Sequence, residues 1–595
     1  MTKRTINLLT ILIFLFPIIV TGQWQTHYEQ SGLKETPRYS ETVEFSKRLA
    51  EASPIVQYTV FGKSLQGRDL PLLVLDIDGS FDPKHARDNN KAVIMIMASI
   101  HPGEPAGKDA GLMLFRDIAI NDKYAELLDN ITILFIPIFN ADGHERFGPY
   151  NRINQNGPKE MGWRTNAVNL NLNRDFLKAD TPEMQYFIKL FNQWMPEFLI
   201  DCHSTNGADY QYTMTYALET MGNMEPGLSD WTERTYLAQV EQLMKSDGWE
   251  IFPYVTFRTW HDPTSGLYRR VFNPMYSTGY ATHRNRVGLL LETHMLKPYN
   301  MRVESTYSMI VNTMKILAEE HKTLIKLVNE ADKKTASQTF RDKPYPVNFQ
   351  PGPDSTMVEF KGVEFTKKES TLTGGTWYKY HSDKTKTFNL PLFSDQQAVE
   401  EVILPEAYII PVQWVKALER LKLHDVEMTI IEEPVSIEVE TYRFDNPQLS
   451  ARVNEGRQTV QNISFESYTE KKEFPAGSAV IDMNQKGARL ITHALEPQAP
   501  GSFLYWGFFN PIFQRTEYFE TYAMEEIARQ MLDEDPELKE RFQHKMETDK
   551  EFAQSGQRAI LDWFYRQTPY VDQEYMVYPV RRITDRGVLS GIFIN

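Results

Sequence analysis

The stretch Lys91-Ala-Val-Ile-Met-Ile-Met-Ala98 is a short apolar run of the kind that forms a strand buried on both faces. It is followed by His101-Pro-Gly-Glu104, which places an imidazole and a carboxylate three positions apart where the strand opens into a loop. An open, catalytic zinc site takes three protein ligands, commonly His nitrogen and Glu or Asp oxygen atoms, and leaves a fourth position for water. This stretch therefore predicts one strand of a sheet and two ligands of a zinc site.

Three further apolar segments are also short and bounded by turn residues: 131–138, 198–200 and 287–291. Helical patterns lie between them at 105–120 and 182–194, and Thr181 before Pro182 is a typical helix start. Residues 58–75 hold two strand-like runs around a glycine-containing turn, which indicates a hairpin. Strands that alternate with helices predict an α/β sheet covered by helices on both faces.

Length and composition predict several folded domains. The chain has 595 residues, more than one hydrophobic core supports, and its 41% hydrophobic and 12% aromatic content is ordinary for a globular protein. A long amphipathic helix over 303–328 precedes a polar, proline-containing stretch at 330–353. We expect this helix to close a domain against its own sheet, and a coiled-coil dimer is the alternative. The predicted organisation is a signal peptide at 1–22, a first domain with the zinc site at 23–335, a β-rich accessory domain at 354–442 and an α/β region at 443–595.

The first 22 residues predict export. Lys3 and Arg4 precede an apolar stretch from Leu8 to Val20, and small residues up to Gly22 offer a cleavage position. The stretch is shorter than the roughly 20 residues that span a bilayer, although an uncleaved anchor is the alternative. We expect a periplasmic or extracellular protein without a stable membrane span after signal cleavage.

Charge and cysteine usage exclude several classes of protein. The formal net charge of −15, with no run of Lys and Arg, argues against a nucleic-acid partner. The single cysteine, Cys202, excludes an intramolecular disulfide framework, and its apolar neighbours indicate an inert buried thiol. We expect His144, His261, His283 and His294 to be structural or exposed rather than metal ligands.

His203 is the candidate for the third zinc ligand, because it also follows an apolar run, at 198–200. Both metal-binding segments then leave strands at their carboxyl ends, the edge where α/β sheets place ligands. Glu292 ends a fourth apolar run, where a carboxylate is costly unless it has a function or a partner. Beside a zinc-bound water it could act as general base and pass the proton to a leaving amine. A buried ion pair with Arg284 or Arg286 is the alternative.

Candidate substrate-binding residues lie between the metal-binding segments. Arg164 could stabilise an oxyanion, and a plain surface charge is the alternative. Asn173 and Arg174 offer amide and guanidinium donors suited to a carboxylate, although the pair could also cap a loop. Such a pair would recognise the free terminus of a chain.

Taken in order, these residues resemble the zinc carboxypeptidase family, the carboxypeptidase A-like metallopeptidases, over about residues 40–330. The motifs that carry the resemblance are His101-x-x-Glu104, Asn140-Ala-Asp-Gly143, the Trp-Arg element at Arg164, Asn173-Arg174, His203-Ser204 and Glu292. The resemblance implies a mixed, mostly parallel eight-stranded sheet between helices and one zinc per chain. It implies a metallocarboxypeptidase that releases one residue from peptides with a free C-terminal carboxylate, by water attack that the glutamate promotes.

The family also covers its substrate with a tyrosine on a mobile loop. Among Tyr268, Tyr276 and Tyr280 we expect Tyr280 in this role, because the adjacent Gly279 would permit loop movement. The region after residue 340 resembles the accessory portion of some bacterial members and carries no chemistry.

Substrate class stays open at this point. The same site would suit a hydrolase that trims peptidoglycan peptides or amides, and a non-catalytic protein that binds peptides or polymers is the alternative from another class. The segment between Gly266 and Glu292 should supply the specificity pocket. An arginine of that segment inside the pocket would favour an acidic terminal side chain, and the candidates are Arg269, Arg270, Arg284 and Arg286.

Overall fold

The computed structural model describes residues 23–205 and 207–593, so the predicted signal peptide at 1–22 lies outside the described residues. Within these residues, no helix combines the length and apolar character needed to cross a membrane. The chain divides into two compact units. The first contains the described residues up to Leu404 with Ala417–Met428 and Asp482–Ser502, and the second contains Pro405–Lys416, Thr429–Ile481 and the residues from Phe503 onward. Residues 354–442 thus contribute to both units, and the domain boundaries drawn from the sequence stay a prediction.

The strands up to residue 300 are β1 Val56–Lys63, β2 Asp69–Leu75, β3 Ala92–Met97, β4 Ile131–Ile136, β5 Phe198–Thr205, β6 Met214–Leu218, β7 Ile251–Pro253, β8 Thr256–Phe257, β9 Leu267–Tyr268 and β10 Val287–His294. Those that follow are β11 Tyr345–Pro351, β12 Thr356–Glu369, β13 Thr376–Phe393, β14 Gln396–Val402, β15 Ala407–Ile410, β16 Thr429–Ile430, β17 Val435–Leu449, β18 Val460–Phe474, β19 Ala479–Asp482 and β20 Arg581–Ile583.

The α-helices of the first part are α1 His27–Gln30, α2 Tyr39–Ala52, α3 Pro83–Asp88, α4 Ala106–Asn121, α5 Ala141–Glu145, α6 Pro182–Trp194, α7 Pro226–Trp231, α8 Ala238–Ser246, α9 Ser277–His283 and α10 Tyr299–Thr335. The later ones are α11 Val415–Leu423, α12 Ala488–Leu495, α13 Thr521–Glu534, α14 Pro536–Thr548, α15 Lys550–Gln554, α16 Gln557–Tyr565 and α17 Arg586–Phe593. A short 3-10 helix, Leu172–Arg174, carries the Asn-Arg pair.

An eight-stranded sheet forms the centre of the first unit, in the order β1-β2-β4-β3-β5-β10-β6-β7. The pairs β3–β4, β3–β5, β5–β10 and β6–β7 are parallel, and the other three pairs are antiparallel. The predicted mixed, mostly parallel eight-stranded sheet is confirmed. The hairpin predicted at 58–75 is the β1–β2 pair at one edge.

Residue types explain the central strands and the helix behind them. Every residue of β3 and β4 is buried, as expected for continuous apolar runs covered on both faces. Helix α4 approaches the sheet closely at two glycines: a Cβ at Gly107 would lie 2.3 Å from Cys202, and one at Gly111 would lie 2.2 Å from Phe135. Because α4 starts two residues after Glu104, this close packing also fixes the turn that carries His101 and Glu104.

The long helix predicted around 303–328 is α10. Its buried residues, among them Met309, Ile310, Leu317 and Leu324, belong to the same hydrophobic core as the sheet strands. The helix therefore closes a domain against its own sheet, as expected from its apolar face.

The region after residue 340 is rich in strands, as expected. β12 and β13 form a long antiparallel hairpin that joins β9 and β8 in a four-stranded sheet of the first unit. The second unit holds a six-stranded sheet in the order β16-β19-β15-β20-β17-β18. Helices α13 to α16 lie in sequence between β19 and β20 and have a small core of their own.

Candidate metal centre and active-site cleft

Three neighbouring parallel strands bring the predicted site residues together. β3, β5 and β10 run side by side, so their carboxyl ends meet at one edge of the sheet. Glu292 on β10 lies directly opposite His203 on β5. The turn with His101 and Glu104 follows β3 at the same edge. Together with neighbouring loops, these residues line a cleft of about 540 Å³.

The candidate metal ligands form a compact, buried group. The potential ligand atoms of His101, Glu104 and His203 all lie within 4.8 Å of one another. Glu104 Oε2 is 2.9 Å from His203 Nδ1 and 3.4 Å from His101 Nδ1. The Nδ1 atoms of both imidazoles therefore face the same carboxylate.

The other ring nitrogen of each histidine is held by the protein. His101 Nε2 donates to Asn171 Oδ1 at 2.8 Å, and His203 Nε2 donates to Asp201 Oδ2 at 2.9 Å. Ser277 Oγ donates to the same Asp201 oxygen at 2.5 Å. Carboxylates and carbonyls in this position fix the tautomer of a metal-binding histidine and leave the opposite nitrogen for the metal. Two oriented Nδ1 atoms and one carboxylate are a donor set that fits zinc.

The electrostatics of the group also fit a cation. Burial lowers the pKa of His101 to about 4, so that this imidazole is neutral and able to bind a metal. Burial opposes a charge on His203, but the Asp201 and Glu104 carboxylates raise its pKa well above the usual value. The group thus holds a proton that a bound metal would displace, as metal binding to histidine commonly does.

A second group of possible donors, Asp76, Asp78 and His85, fits a metal poorly. The Lys91 ammonium lies 3.0 Å from Asp76 Oδ1 and 2.7 Å from Asp78 Oδ2. This lysine already neutralises the carboxylates, so the group is an ion-pair cluster.

Glu292 lies half-buried in the wall of the cleft. Among the described residues, its Oε2 atom has no hydrogen-bond partner, and no ion pair joins it to Arg284 or Arg286. Removal from water raises the pKa of Glu292 to about 8; His203 opposes this effect, and the Glu104 charge adds to it. A carboxylate with a free oxygen and a pKa near neutrality has the properties of a general base.

Two arginines share the second oxygen of Glu104. Arg152 Nη1 donates to Oε1 at 2.7 Å and Arg164 Nη1 donates to it at 3.2 Å. Arg152 is the more buried, with 13% of its side chain exposed against 43% for Arg164. Arg164 was a predicted site residue, whereas Arg152 was missed, because its loop shows no strand end or motif.

The Asn140 loop connects the turn before His101 with the segment that carries Arg164. Asn140 Oδ1 accepts from the Gly143 amide at 2.9 Å and so caps the start of α5. Its Nδ2 group donates to the carbonyls of Ile100 and Arg164, both at 3.4 Å. This side chain holds the turn before His101 beside the backbone of Arg164.

Asn173 and Arg174 line the cleft on the side of His203. Asn173 Nδ2 is 3.4 Å from His203 Nε2, and the Arg174 guanidinium lies 4.6 Å from the centre of the Tyr276 ring. Arg174 also donates to the Asn173 carbonyl at 2.5 Å. A guanidinium held against an aromatic ring keeps donors for a carboxylate while it loses little freedom on binding.

The structure places Tyr280 outside the cleft. Its side chain is fully buried in α9, and its hydroxyl is 3.1 Å from His424 Nδ1. The cleft is lined instead by Tyr254 and Tyr276, and Tyr268 lies in a separate surface depression.

The four arginines expected to supply a specificity pocket do not line the cleft. Arg284 donates to the carbonyl of His424, and Arg286 pairs with Asp332. Arg270 lines the depression around Tyr268. Phe272, Tyr276 and Leu290 are in the wall of the cleft. Because none of the four arginines lines it, they give no support to the expected acidic preference.

Three further residues, Cys202, His144 and His283, are buried, and none of them lines the cleft. Cys202 is buried, and burial raises the pKa of its thiol, as expected of an inert cysteine. His144 Nε2 is 2.9 Å from Lys108 Nζ, and His283 Nδ1 is 2.7 Å from the Gly279 carbonyl.

Comparisons with known proteins agree with this site. Residues 42–243 match the family model described as zinc carboxypeptidase. Among curated proteins, carboxypeptidase 2 of Trichophyton equinum is 25% identical over 491 residues, covering 79% of this chain and 84% of the relative. Carboxypeptidase 2 of Trichophyton rubrum is 25% identical over 494 residues with the same coverage. Both relatives are fungal, so they do not support the expectation of a bacterial member.

Solved structures that are similar to this chain include carboxypeptidase A from Helicoverpa armigera, with 15% identity and a TM-score of 0.37 over 49% of this chain and 75% of that one. A metallo-carboxypeptidase from Burkholderia cenocepacia has 16% identity and a TM-score of 0.35 over 47% of this chain and 69% of that one. The match of residues 42–243 and the curated relatives together support a metallopeptidase that is similar to zinc carboxypeptidases.

Proposed function

We propose that this protein is an exported, zinc-dependent carboxypeptidase that removes the last residue of peptides with a free C-terminal carboxylate. One observation carries the proposal: a single cleft joins the His101–Glu104–His203 group, the free carboxylate of Glu292 and the donors of Asn173 and Arg174. Each part supplies one requirement of terminal peptide hydrolysis.

His101, Glu104 and His203 would hold the zinc. When bound, zinc supplies a Lewis acid that polarises the peptide carbonyl and makes water a nucleophile near neutral pH. Asn171 and Asp201 keep the two imidazoles in the orientation that this binding needs.

Glu292 takes the proton of the attacking water and passes it to the nitrogen of the leaving residue. Its unpartnered oxygen is free to accept that proton, and a cation nearby would favour its ionised form. Arg164, the more exposed of the two arginines, donates to the oxygen that becomes negative in the transition state.

Asn173 and Arg174 bind the terminal carboxylate, which limits cleavage to the last peptide bond. A guanidinium that recognises a carboxylate does so through paired donors, and an amide or an extended chain offers it no such partner. Tyr276, stacked on Arg174, and Tyr254 replace Tyr280 as candidates for covering the substrate.

The terminal side chain occupies the part of the cleft lined by Phe272, Tyr276 and Leu290. These walls are apolar or aromatic, so they favour apolar and aromatic terminal residues. An acidic side chain would lose its hydration against these walls, and Arg174, the arginine stacked on Tyr276, is occupied by the terminal carboxylate.

The test is a scan of peptides that differ in their last residue, with products read by mass and zinc content measured in the same sample. We expect stepwise release from free carboxylates, none from C-terminal amides, and a rate about 10²–10⁴-fold lower for Glu292→Gln at equal zinc content. Glu197→Gln is a matched control, because Glu197 accepts from the Val93 amide at the start of β3, at the opposite edge of the sheet.

Each alternative has its own outcome in this assay. Wild-type rates for Glu292→Gln would refute the assigned base, and equal cleavage of amides would refute recognition of the terminus. Hydrolysis of muropeptides but not of ordinary peptides would identify a cell-wall peptide hydrolase. Absence of stoichiometric zinc and of any hydrolysis would leave a binding protein.

A further inference from the structure

His424 lies far outside the predicted catalytic range 23–335, yet it is part of the first unit. It follows α11 in the segment Ala417–Met428, and only 2% of it is exposed. Nothing in its sequence neighbourhood indicated a role near the cleft.

Both ring nitrogens of His424 make hydrogen bonds whose direction is determined by the partners. His424 Nε2 donates to the Leu177 carbonyl at 2.8 Å, because a carbonyl only accepts. His424 Nδ1 is then the acceptor, and the Tyr280 hydroxyl donates to it at 3.1 Å. Arg284, which only donates, contacts the Tyr280 hydroxyl at 3.3 Å and the His424 carbonyl at 2.8 Å. Each group in this chain of bonds has one compatible role.

The Leu177 end of this series of hydrogen bonds lies next to the residues proposed to bind the substrate terminus. Leu177 follows Arg174 by three residues, in the loop that leaves the 3-10 helix Leu172–Arg174. Arg420, from the same segment as His424, donates to the neighbouring Lys178 carbonyl at 3.0 Å. The segment therefore holds this loop at two consecutive carbonyls.

The Tyr280 end of the hydrogen-bond series lies in α9, the helix beside the metal group of His101, Glu104 and His203. The first residue of α9, Ser277, donates to Asp201, which in turn holds His203 Nε2. Tyr276, the residue directly before α9, lies in the cleft wall against Arg174. α9 thus carries contacts to both the metal group and the substrate-binding side.

We propose that His424 is a positioning residue of the active site, which sets the distance between α9 and the loop that carries Asn173 and Arg174. The functional consequence rests on the proposed binding of the terminal carboxylate by that pair. Loss of the bridge lets the loop move away from the cleft, so that substrate binding weakens while the chemistry of bound substrate is preserved.

The experiment uses the full-length, zinc-loaded chain with His424→Leu, which removes both bonds, and Tyr280→Phe, which removes one. We expect amide hydrogen exchange in residues 172–178 to become faster and KM to rise about tenfold while kcat changes about twofold at most, as for a displaced binding group. The double variant should resemble His424→Leu alone, because both changes break the same chain of bonds.

His321→Gln is the control for a change that affects stability only. His321 is also buried, but its Nδ1 atom bonds the Ala318 carbonyl within its own helix. Unchanged exchange at 172–178, or additive effects of the two variants, would overturn the proposal. If His424→Leu fails to fold, Tyr280→Phe alone decides it by the same two readouts. If the wild type hydrolyses no peptide, the proposed function fails, and the exchange data still decide whether His424 holds the loop.

Discussion

Two groups of buried histidines in the first unit have opposite properties. In the metal group, Nε2 of His101 and of His203 bonds to the protein, and Nδ1 faces Glu104 beside an open cleft. The other group consists of His424, Tyr280 and Arg284. Both ring nitrogens of His424 bond to neutral protein groups there, and His424 does not line the cleft. Burial alone therefore does not distinguish a ligand from a structural histidine; the second ring nitrogen does.

The strongest test of this comparison is the same substitution in each group. His203→Gln removes one of three ligands, so its zinc affinity should fall by more than the roughly 10–100-fold that loss of a supporting hydrogen bond costs. His424→Gln should keep one zinc per chain, because its ring nitrogens are already used. Competition with a chromogenic chelator measures both affinities, and near wild-type affinity in His203→Gln would contradict the assignment.

The arginines provide the second test, because those near Glu104 face a carboxylate, whereas Arg284 donates to neutral atoms, among them the Tyr280 hydroxyl and the His424 carbonyl. Arg164→Met should lower kcat about 10²–10³-fold with zinc retained, as for loss of an oxyanion donor. Arg152→Met should instead lower zinc affinity about 10–100-fold, since the less exposed guanidinium orients Glu104. Paired kinetic and chelator titrations separate the two effects. Equal effects of both variants on zinc affinity would mean that the arginines do not divide these roles.

The smallest expected effect is on pH dependence. Burial lowers the pKa of His424 to about 3 and that of His283 to about 4, so the folded chain resists their protonation. The unfolded chain takes up these protons below about pH 6.5, so the free energy of unfolding should decrease as pH falls from about 6.5 to about 4. Each histidine contributes about 1.4 kcal/mol per pH unit in this window.

His424→Gln should therefore reduce the slope of the unfolding free energy against pH by the contribution of one histidine. Urea unfolding of the metal-free protein at pH 7, 6 and 5 measures it, with a chelator present so that the metal group does not add a pH-dependent ligand. An identical slope in the variant would show that His424 is not kept neutral by burial.

The sheet and the metal group could be predicted from sequence because both depend on local patterns. Short apolar runs predicted β3, β5 and β10, and polar residues at their ends predicted His101, His203 and Glu292. Parallel neighbouring strands necessarily bring such residues to one edge. The supporting residues could not be predicted in this way. Arg152 lies in an irregular loop, and Asp201 and Ser277 meet only because α9 packs beside β5.

Tyr280 and the four arginines show the limit of arguments from sequence position. All lie in the segment before Glu292 that was expected to form the pocket. Orientation on a helix and packing decide which side chains reach the cleft, and α9 directs Tyr280 to His424, leaving Tyr276 at the cleft wall.

The sequence by itself determined the α/β sheet, the positions of its apolar strands in the chain and the identity of the candidate zinc ligands, because hydrophobic periodicity and ligand chemistry are properties of short segments. Only the tertiary structure decided that Nδ1 of His101 and of His203 faces Glu104, that Tyr276 packs against Arg174 in the cleft wall, and that a segment around His424 belongs to the unit with the cleft. These features depend on contacts between residues far apart in the chain, and such contacts arise from packing.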